Sequence, residues 1–318
     1  MTGFAADWLA LREPADRRAR SAPVLAATRL WAGRRATTGR ALRVVDLGAG
    51  TGGNLRCLAP HLSAPQAWTL VDDDPGLLAL AQRAGGRGRI AAMHGDGSLR
   101  VRAIAGDLAA TRALTETVRG GQLITASALF DLTSAAWCRQ LVRAIARPGV
   151  ALHATLIYDG RIAIEPADTF DGMVRGLFNR HQRRGKGFGV ALGPRAAPLL
   201  ARVAAASGAI VIGGRSDWRL SRGETRLIKS LLTAWTTAAR EMLPEQARNI
   251  DVWRMRRQEL MEAARLRVVV GHLDLLAIWP SKRRGRTSVA EAYPLDSTAS
   301  LARNRASHAA TLRRASTT

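Results

Sequence analysis

Lysine is almost absent from this chain. Only Lys186, Lys229 and Lys282 occur, so nearly all of the basic charge is arginine. Aromatics are scarce at 5%, which argues against the stacking platforms that single-stranded nucleic-acid binders interleave with their basic residues. Two cysteines, Cys57 and Cys138, stand far apart with no CxxC pair and no clustered histidine, so neither a disulfide framework nor a metal site is expected; both read as buried thiols. No apolar run approaches the ~18 residues of a membrane span. The first residues mix Asp, Glu and Arg without an apolar centre, so no signal peptide is expected and a cytoplasmic location is the default.

What is abundant is arginine and alanine. The formal net charge is +23, of which residues 281–318 hold +6 (eight basic residues against Glu291 and Asp296). The other +17 is scattered rather than clustered, which disfavours nucleic acid as the main partner but leaves weak polyanion binding open. With 318 residues, 47% hydrophobic, the chain has ample material for a sizeable core.

The most informative stretch is Val44-Val45-Asp46-Leu47-Gly48-Ala49-Gly50-Thr51-Gly52-Gly53-Asn54. An apolar run meets a turn with four glycines, and Leu55, Leu58 and Leu62 follow at helical spacing. That predicts strand, tight loop, helix, with glycine needed for unusual backbone angles and for close approach to a ligand. Gly48, Gly50 and Gly53 also fit the dinucleotide pattern G-x-G-x-x-G, so the glycines alone leave two cofactors open. Their company separates the two. Asp46 stands two residues before Gly48, where a dinucleotide strand is normally apolar. A second strand, Trp68 to Val71, ends in Asp72; a third, Val101 to Ala105, runs into Gly106-Asp107; a fourth, Leu123 to Ala126, ends in Ser127.

Those four motifs in order resemble the class I S-adenosylmethionine-dependent methyltransferases over roughly residues 10 to 280. The resemblance implies a Rossmann-like doubly wound α/β sheet of seven strands, the last antiparallel, with helices on both faces. It implies S-adenosyl-L-methionine as cofactor, held by Asp46, Gly48, Ala49, Gly50, Asn54, Asp72, Asp73, Asp107, Leu108 and Ser127. Asp72 would accept from the ribose hydroxyls, while Asp107, with Leu108 alongside, would meet the adenine. Asp96 competes with Asp107 for that role. Asp46 would either meet the cofactor's ammonium group or only tie the loop together. In the family a leading segment often covers the cofactor, and Arg12 and Arg20 are candidates there for the methionine carboxylate; solvated arginines are the plainer reading.

The domain plan follows. Residues 1–43 form a helical cap, with Pro14 suited to a helix's first turn and Pro23 to a break. Residues 44–280 form the methyltransferase domain, with 162–207 as a substrate-facing insertion, and 281–318 form a basic disordered tail. In the insertion, Phe170, Met173, Val174, Leu177 and Phe178 share a helix face; for Arg180-His181-Gln182-Arg183-Arg184 a solvated face is the plainer reading, while the glycine-rich loop that follows beside the expected cleft favours an anionic acceptor. His181 is the candidate general base and Tyr158, at the end of the fifth strand (Val150 to Ile157), the candidate acceptor-facing residue, though packing is the plainer reading of a strand-end tyrosine; the catalytic residue itself stays open. His153 reads as a core histidine; His272 and Asp274, on the last strand, could face the cleft, with core or edge roles the plainer reading. The stretch Thr125-Ala126-Ser127-Ala128-Leu129-Phe130-Asp131-Leu132 lacks the Pro-Pro-aromatic turn with which base amino methyltransferases orient a nucleobase. Methyl transfer to a small-molecule acceptor is therefore the leading expectation. An RNA methyltransferase and a non-catalytic cofactor-fold binding protein are the alternatives.

Overall fold

The computed structural model describes residues 5–36, 40–62, 65–87 and 99–281. Asp96 and the basic tail from residue 282 lie outside the described residues. Strands β1 (Leu42–Leu47), β2 (Gln66–Asp72), β3 (Leu99–Ala105), β4 (Leu123–Ser127) and β5 (Ala151–Glu165) are followed by β6 (Ile210–Arg215), β7 (Trp218–Leu220) and β8 (Arg267–Ile278). They form one eight-stranded sheet in the order β3-β2-β1-β4-β5-β8-β6, with β7 pairing β8. All pairs from β3 to β5 are parallel, and β8 is inserted antiparallel between β5 and β6. This is the expected Rossmann-like doubly wound arrangement, with the three-residue β7 as an additional short strand. It escapes a periodicity reading because three residues are too few to show alternation.

Near-continuous burial of β1, β2 and β4 is what a parallel sheet covered on both faces requires. On one face Val45, Leu47 and Ile124 pack against helices α5 (Thr111–Val118), α6 (Ala135–Ile145) and α8 (Ala196–Ala206). On the other, Leu42, Val44 and Leu70 pack against α2 (Ala22–Ala36), α3 (Gly53–Leu58) and α4 (Pro75–Arg87). Ser134 caps α6 through a bond from Trp137 N to its hydroxyl (3.2 Å).

A third apolar cluster lies beyond the carboxyl half of β5. There β5 does not stop at Ile157 but runs on, through two register shifts, to Glu165 against β8. Around this extension pack α7 (Asp171–His181), α9 (Thr225–Met242) and α10 (Ala247–Glu262). A Ser221/Glu224 capping box forms at the entrance to α9. On α10, Arg257 falls on the buried face with Ile250, Trp253 and Met261; it donates to the Pro166 carbonyl (2.5 Å) and pairs with Asp168 and Asp171 (3.3 Å each).

Ahead of the sheet lie α1 (Ala6–Ala19) and α2. The two prolines exchange the roles expected of them. Pro14 is inside α1, whereas Pro23 sits in the first turn of α2, where a missing N–H is harmless. The chain breaks instead at Arg20-Ser21, which turns out to matter for the site.

Candidate functional site

Sheet order reverses at β1, whose neighbours β2 and β4 lead away in opposite directions; open α/β sheets bind ligands beyond the strand ends at such a point. A cavity of about 720 Å³ lies there, within the range typical of small-molecule sites. Its floor is the glycine turn. At Gly50 (φ +52°) a Cβ would stand 3.0 Å from Leu9 Cδ1, so the leucine tip would have to shift in addition to the left-handed strain. At Gly52 (φ +79°) a Cβ would meet the Ala81 Cβ at 3.1 Å and its Cα at 3.3 Å. Gly52→Ala should therefore lower stability by more than the ~1–2 kcal/mol cost of the left-handed angle alone, read as the shift of a denaturant midpoint. A loss below ~1 kcal/mol would mean the loop is not fixed as described. The turn is pinned to β2 by Ala49 N donating to the Val71 carbonyl (3.0 Å) and Gly50 N donating to Asp72 Oδ2 (2.8 Å). Helix α3 is only six residues long, so these fixed N–H groups carry more of the site's polarity than any helix dipole.

Asp72 closes β2 and lines the cavity. Its Oδ1 also accepts from Asp74 N (3.1 Å), yet each carboxylate oxygen keeps a lone pair for a ligand hydroxyl. Burial raises its pKa, and the two backbone donors pull it back. Asp73 lines the cavity from an exposed position. Asp107 lies just past β3 with Oδ1 accepting from Ala109 N (2.8 Å); Leu108 beside it is buried, its carbonyl held by Trp137 Nε1 (2.6 Å). Gly48, Ala49, Asn54 and Ser127 also line the cavity.

Asp46 does not. It is fully buried one layer behind, and Asn54 stands between it and the cavity, donating to Asp46 Oδ1 (2.7 Å) and to Thr125 Oγ1 (3.0 Å). Of the two roles weighed for Asp46, tying the loop together is the one visible in this geometry. Its other oxygen, Oδ2, is buried without a partner. Burial, opposed by Asn54 and Arg20, pushes its carboxyl up to about 7.

The cavity's roof is α1. Leu9, Arg12, Glu13, Asp16, Arg17 and Arg20 recur at helical spacing and all line it. The plain expectation of solvated arginines fails here. Arg20 reaches down to Thr155 Oγ1, Asn54 Oδ1 (3.1 Å) and Ser127 Oγ (3.3 Å), and its Nε is buried without a partner. Arg12 chelates Asp16 (2.9 and 3.2 Å) and lies over the Trp218 ring. Asp16 accepts in turn from Trp218 Nε1 (3.0 Å), and Glu13 pairs with Arg56 of α3 (2.5 Å).

Sequence reading missed the anchor of this roof. Asp274, on β8 and 1% exposed, accepts from Ser21 N (2.9 Å) and from Leu156 N (2.8 Å). Leu156 is left-handed (φ +53°) and follows Thr155, so one carboxylate fixes both the α1–α2 junction carrying Arg20 and the strand residue that Arg20 grips. Nothing in a strand pattern marks Asp274; only the pairing of β8 with β5 brings it there.

Other expectations land elsewhere. Tyr158 lies inside β5, not at its end. It is buried, donates to Asn179 Oδ1 (2.7 Å), has its pKa pushed up by burial, and does not line the cavity. His181 sits on α7 against Glu241 (3.2 Å), also away from the cavity, and burial lowers its pKa. Of residues 162–207, Phe188 alone among those described reaches the cavity wall. His153 is buried and neutral, held down to about 3 by desolvation. Cys138 is buried against Thr133, but Cys57 is only half-buried and lines the cavity. Among the described residues no cluster of three or more His, Cys, Asp or Glu gathers as metal ligands would, and no helix is long and apolar enough to cross a membrane.

No family model matches the chain, and no curated protein does. Among solved structures it is similar to an S-adenosylmethionine-dependent methyltransferase from Geobacter sulfurreducens in complex with S-adenosyl-L-homocysteine (17% identity, TM-score 0.42, covering 87% of this chain and 99% of that one). A second, from Thiobacillus denitrificans in complex with the same molecule, gives 16% identity and a TM-score of 0.41 over 86% and 99%. A cyclopropane synthase from Mycobacterium tuberculosis gives 11% and 0.39 over 74% and 78%. At such identities and scores the likeness says nothing of ligand or reaction, and the side chains themselves must carry the functional reading.

Proposed function

We propose that the chain is an S-adenosyl-L-methionine-dependent methyltransferase acting on a small-molecule acceptor, with an anionic group on that acceptor. The observation that carries this reading is the meeting of the glycine turn, Asp72 and Asp107 at three adjacent strand ends around one cavity. The residues suit the cofactor. Asp72 has free acceptor capacity for two ribose hydroxyls, Asp107 and Leu108 flank an adenine site, and Arg20 offers a guanidinium to a carboxylate. When bound, the cofactor supplies an electrophilic methyl group on a sulfonium, so the chain's own task is to orient two molecules and exclude water. The roof of α1, pinned by Glu13–Arg56 and Arg18–Glu224, encloses a chamber of small-molecule size, which favours a small acceptor over RNA. Leu9, Leu129, Leu132 and Phe188 make part of that chamber apolar, while Arg12 and Arg17 supply positive charge.

Calorimetry with S-adenosylhomocysteine tests the cofactor, and tritium-methyl incorporation across small-molecule pools tests the acceptor. Failure of the wild type to bind S-adenosylhomocysteine would remove the reading. Methyl incorporation into RNA and not into small molecules would replace the acceptor class.

Asp46 gives a pH-dependence. Its folded pKa of about 7 lies above the ordinary value of 3.8, so the folded state holds the extra proton across that window. Its contribution to stability is thus fully present below about pH 4 and is lost as pH rises to 7. Melting temperatures of the ligand-free protein should fall more steeply over pH 4–7 than those of Asp46→Asn. Equal slopes would show that Asp46 does not titrate in this range.

A further inference from the structure

Four arginines line the main cavity, and three of them are already committed. Arg12 is held by Asp16 (2.9 and 3.2 Å), Arg56 by Glu13 (2.5 and 2.7 Å), and Arg20 by oxygens of Thr155, Asn54 and Ser127. The fourth is Arg17. It is exposed on α1 and has no hydrogen bond, ion pair or ring contact among the described residues. The acids nearest it in sequence, Glu13 and Asp16, are the ones that Arg56 and Arg12 already hold. Its charge is therefore uncompensated.

The wall it overlooks is apolar. Asn54, Cys57, Pro60 and His61 recur at intervals of three and four residues along α3 and the turn after it. One line of side chains thus carries the cavity away from the glycine turn for about 10 Å. Leu25 of α2 lines the same cavity. His61 ends the line; burial and the neighbouring Arg29 lower its pKa, so it is neutral at pH 7. The cavity's acids without an arginine partner among the described residues, Asp72, Asp73, Asp74 and Asp107, all stand at or just past the ends of β2 and β3, and none belongs to α1, α2 or α3.

We propose that this outer end of the cavity binds an amphipathic carboxylic acid, its carboxylate on Arg17 and its apolar body over Leu25, Cys57 and Pro60. The inference rests on the acceptor reading above and gives that acceptor a chemical class. One free guanidinium matches the two oxygens of one carboxylate in a fork, whereas a phosphate dianion would keep an unmatched charge beside an apolar wall. An ammonium-bearing acceptor is excluded, because Arg17 and Arg29 both repel it.

Octanoate is the probe, with octanamide and octylamine as its uncharged and cationic counterparts. Isothermal titration on the full chain should give one saturable site for octanoate, with octanamide roughly tenfold weaker or more and octylamine unbound. Arg17→Gln should weaken octanoate by a similar factor and leave octanamide as it was. Arg143→Gln removes the same charge from an exposed site on α6 and should bind octanoate like the wild type. A second readout is local. Cys57 is half-buried and lines this wall, whereas Cys138 is buried, its thiol pushed up to about 11 chiefly by that burial. Saturating octanoate should slow alkylation of Cys57 by iodoacetamide several-fold, read by peptide mass spectrometry, with Cys138 silent throughout. Equal binding of the three probes, unchanged affinity in Arg17→Gln, an equal loss in Arg143→Gln, or an unprotected Cys57 would each overturn the proposal. Displacement of octanoate by S-adenosylhomocysteine would assign Arg17 to the cofactor and overturn this inference alone. Octanoate binding with no binding of S-adenosylhomocysteine would remove the cofactor reading and leave the carboxylate site standing.

Discussion

Asp72→Ala should weaken S-adenosylhomocysteine binding by roughly 100-fold or more while leaving the protein folded. Two hydroxyl bonds to a carboxylate are charge-assisted, at about 1.5–3 kcal/mol each, and their joint loss reaches that range even if only part of each is realised. The substitution also frees Gly50 N and Asp74 N, which Asp72 holds at 2.8 and 3.1 Å, so the glycine turn loses its tether to β2. Asp72→Asn separates the two effects. It keeps an oxygen for one backbone donor but no charge, and should lie between wild type and alanine. Calorimetric titration of the three proteins checks this. Wild-type affinity in Asp72→Ala would exclude the ribose role and the cofactor reading with it.

Asp274→Ala should destabilise the fold by about 2–5 kcal/mol. The carboxylate is buried and accepts from two backbone N–H groups, those of Ser21 and Leu156; an unsatisfied buried donor costs about 1–3 kcal/mol. Leu156 is held in a left-handed conformation that non-glycine residues avoid, so loss of its bond should let the β5 bulge relax. Ser21 has little freedom to find another partner, since β6 passes so close that a side chain at Gly214 would overlap its hydroxyl. Asp274→Asn, which retains one acceptor oxygen, should cost about half as much. Urea unfolding of the three proteins supplies the numbers, and a loss below ~1 kcal/mol for alanine would show that water or another group satisfies those donors. Thr155, and so the grip of Arg20, should loosen with it.

The parallel half of the sheet was legible because its motifs are local: each acidic residue closes an apolar run, and topology carries all such ends to one rim. Asp72, Asp107 and the glycine turn are therefore readable without coordinates. Asp46 was half-legible. Its place in an apolar run foretold burial, but not that Asn54, eight residues on, would stand between it and the cavity. Tyr158 was misplaced for a physical reason: β5 continues past Gly160 through register shifts against β8, and a bulge leaves no periodic trace. Arg12, Arg20 and Asp274 depend on contacts across 100 residues or more, where composition is silent. An arginine on a helix looks the same whether it faces water or a chamber.

Pro14 interrupts α1 midway along the roof. Lacking an N–H, it cannot bond the carbonyl of Ala10, so the helix is weakest between its two halves. The later half is fastened by Asp16–Trp218, Arg18–Glu224 and the Ser21–Asp274 bond, whereas the earlier half has Glu13–Arg56, the contact of Leu9 with Gly50, and Arg12, which lies over Trp218 and pairs with Asp16 across the proline. Opening should thus begin upstream, like a flap creased at the proline, and backbone amides 6–12 should exchange with deuterium faster than those of 15–19. Traffic into the chamber would then pass by the glycine turn without disturbing the grip of Arg20.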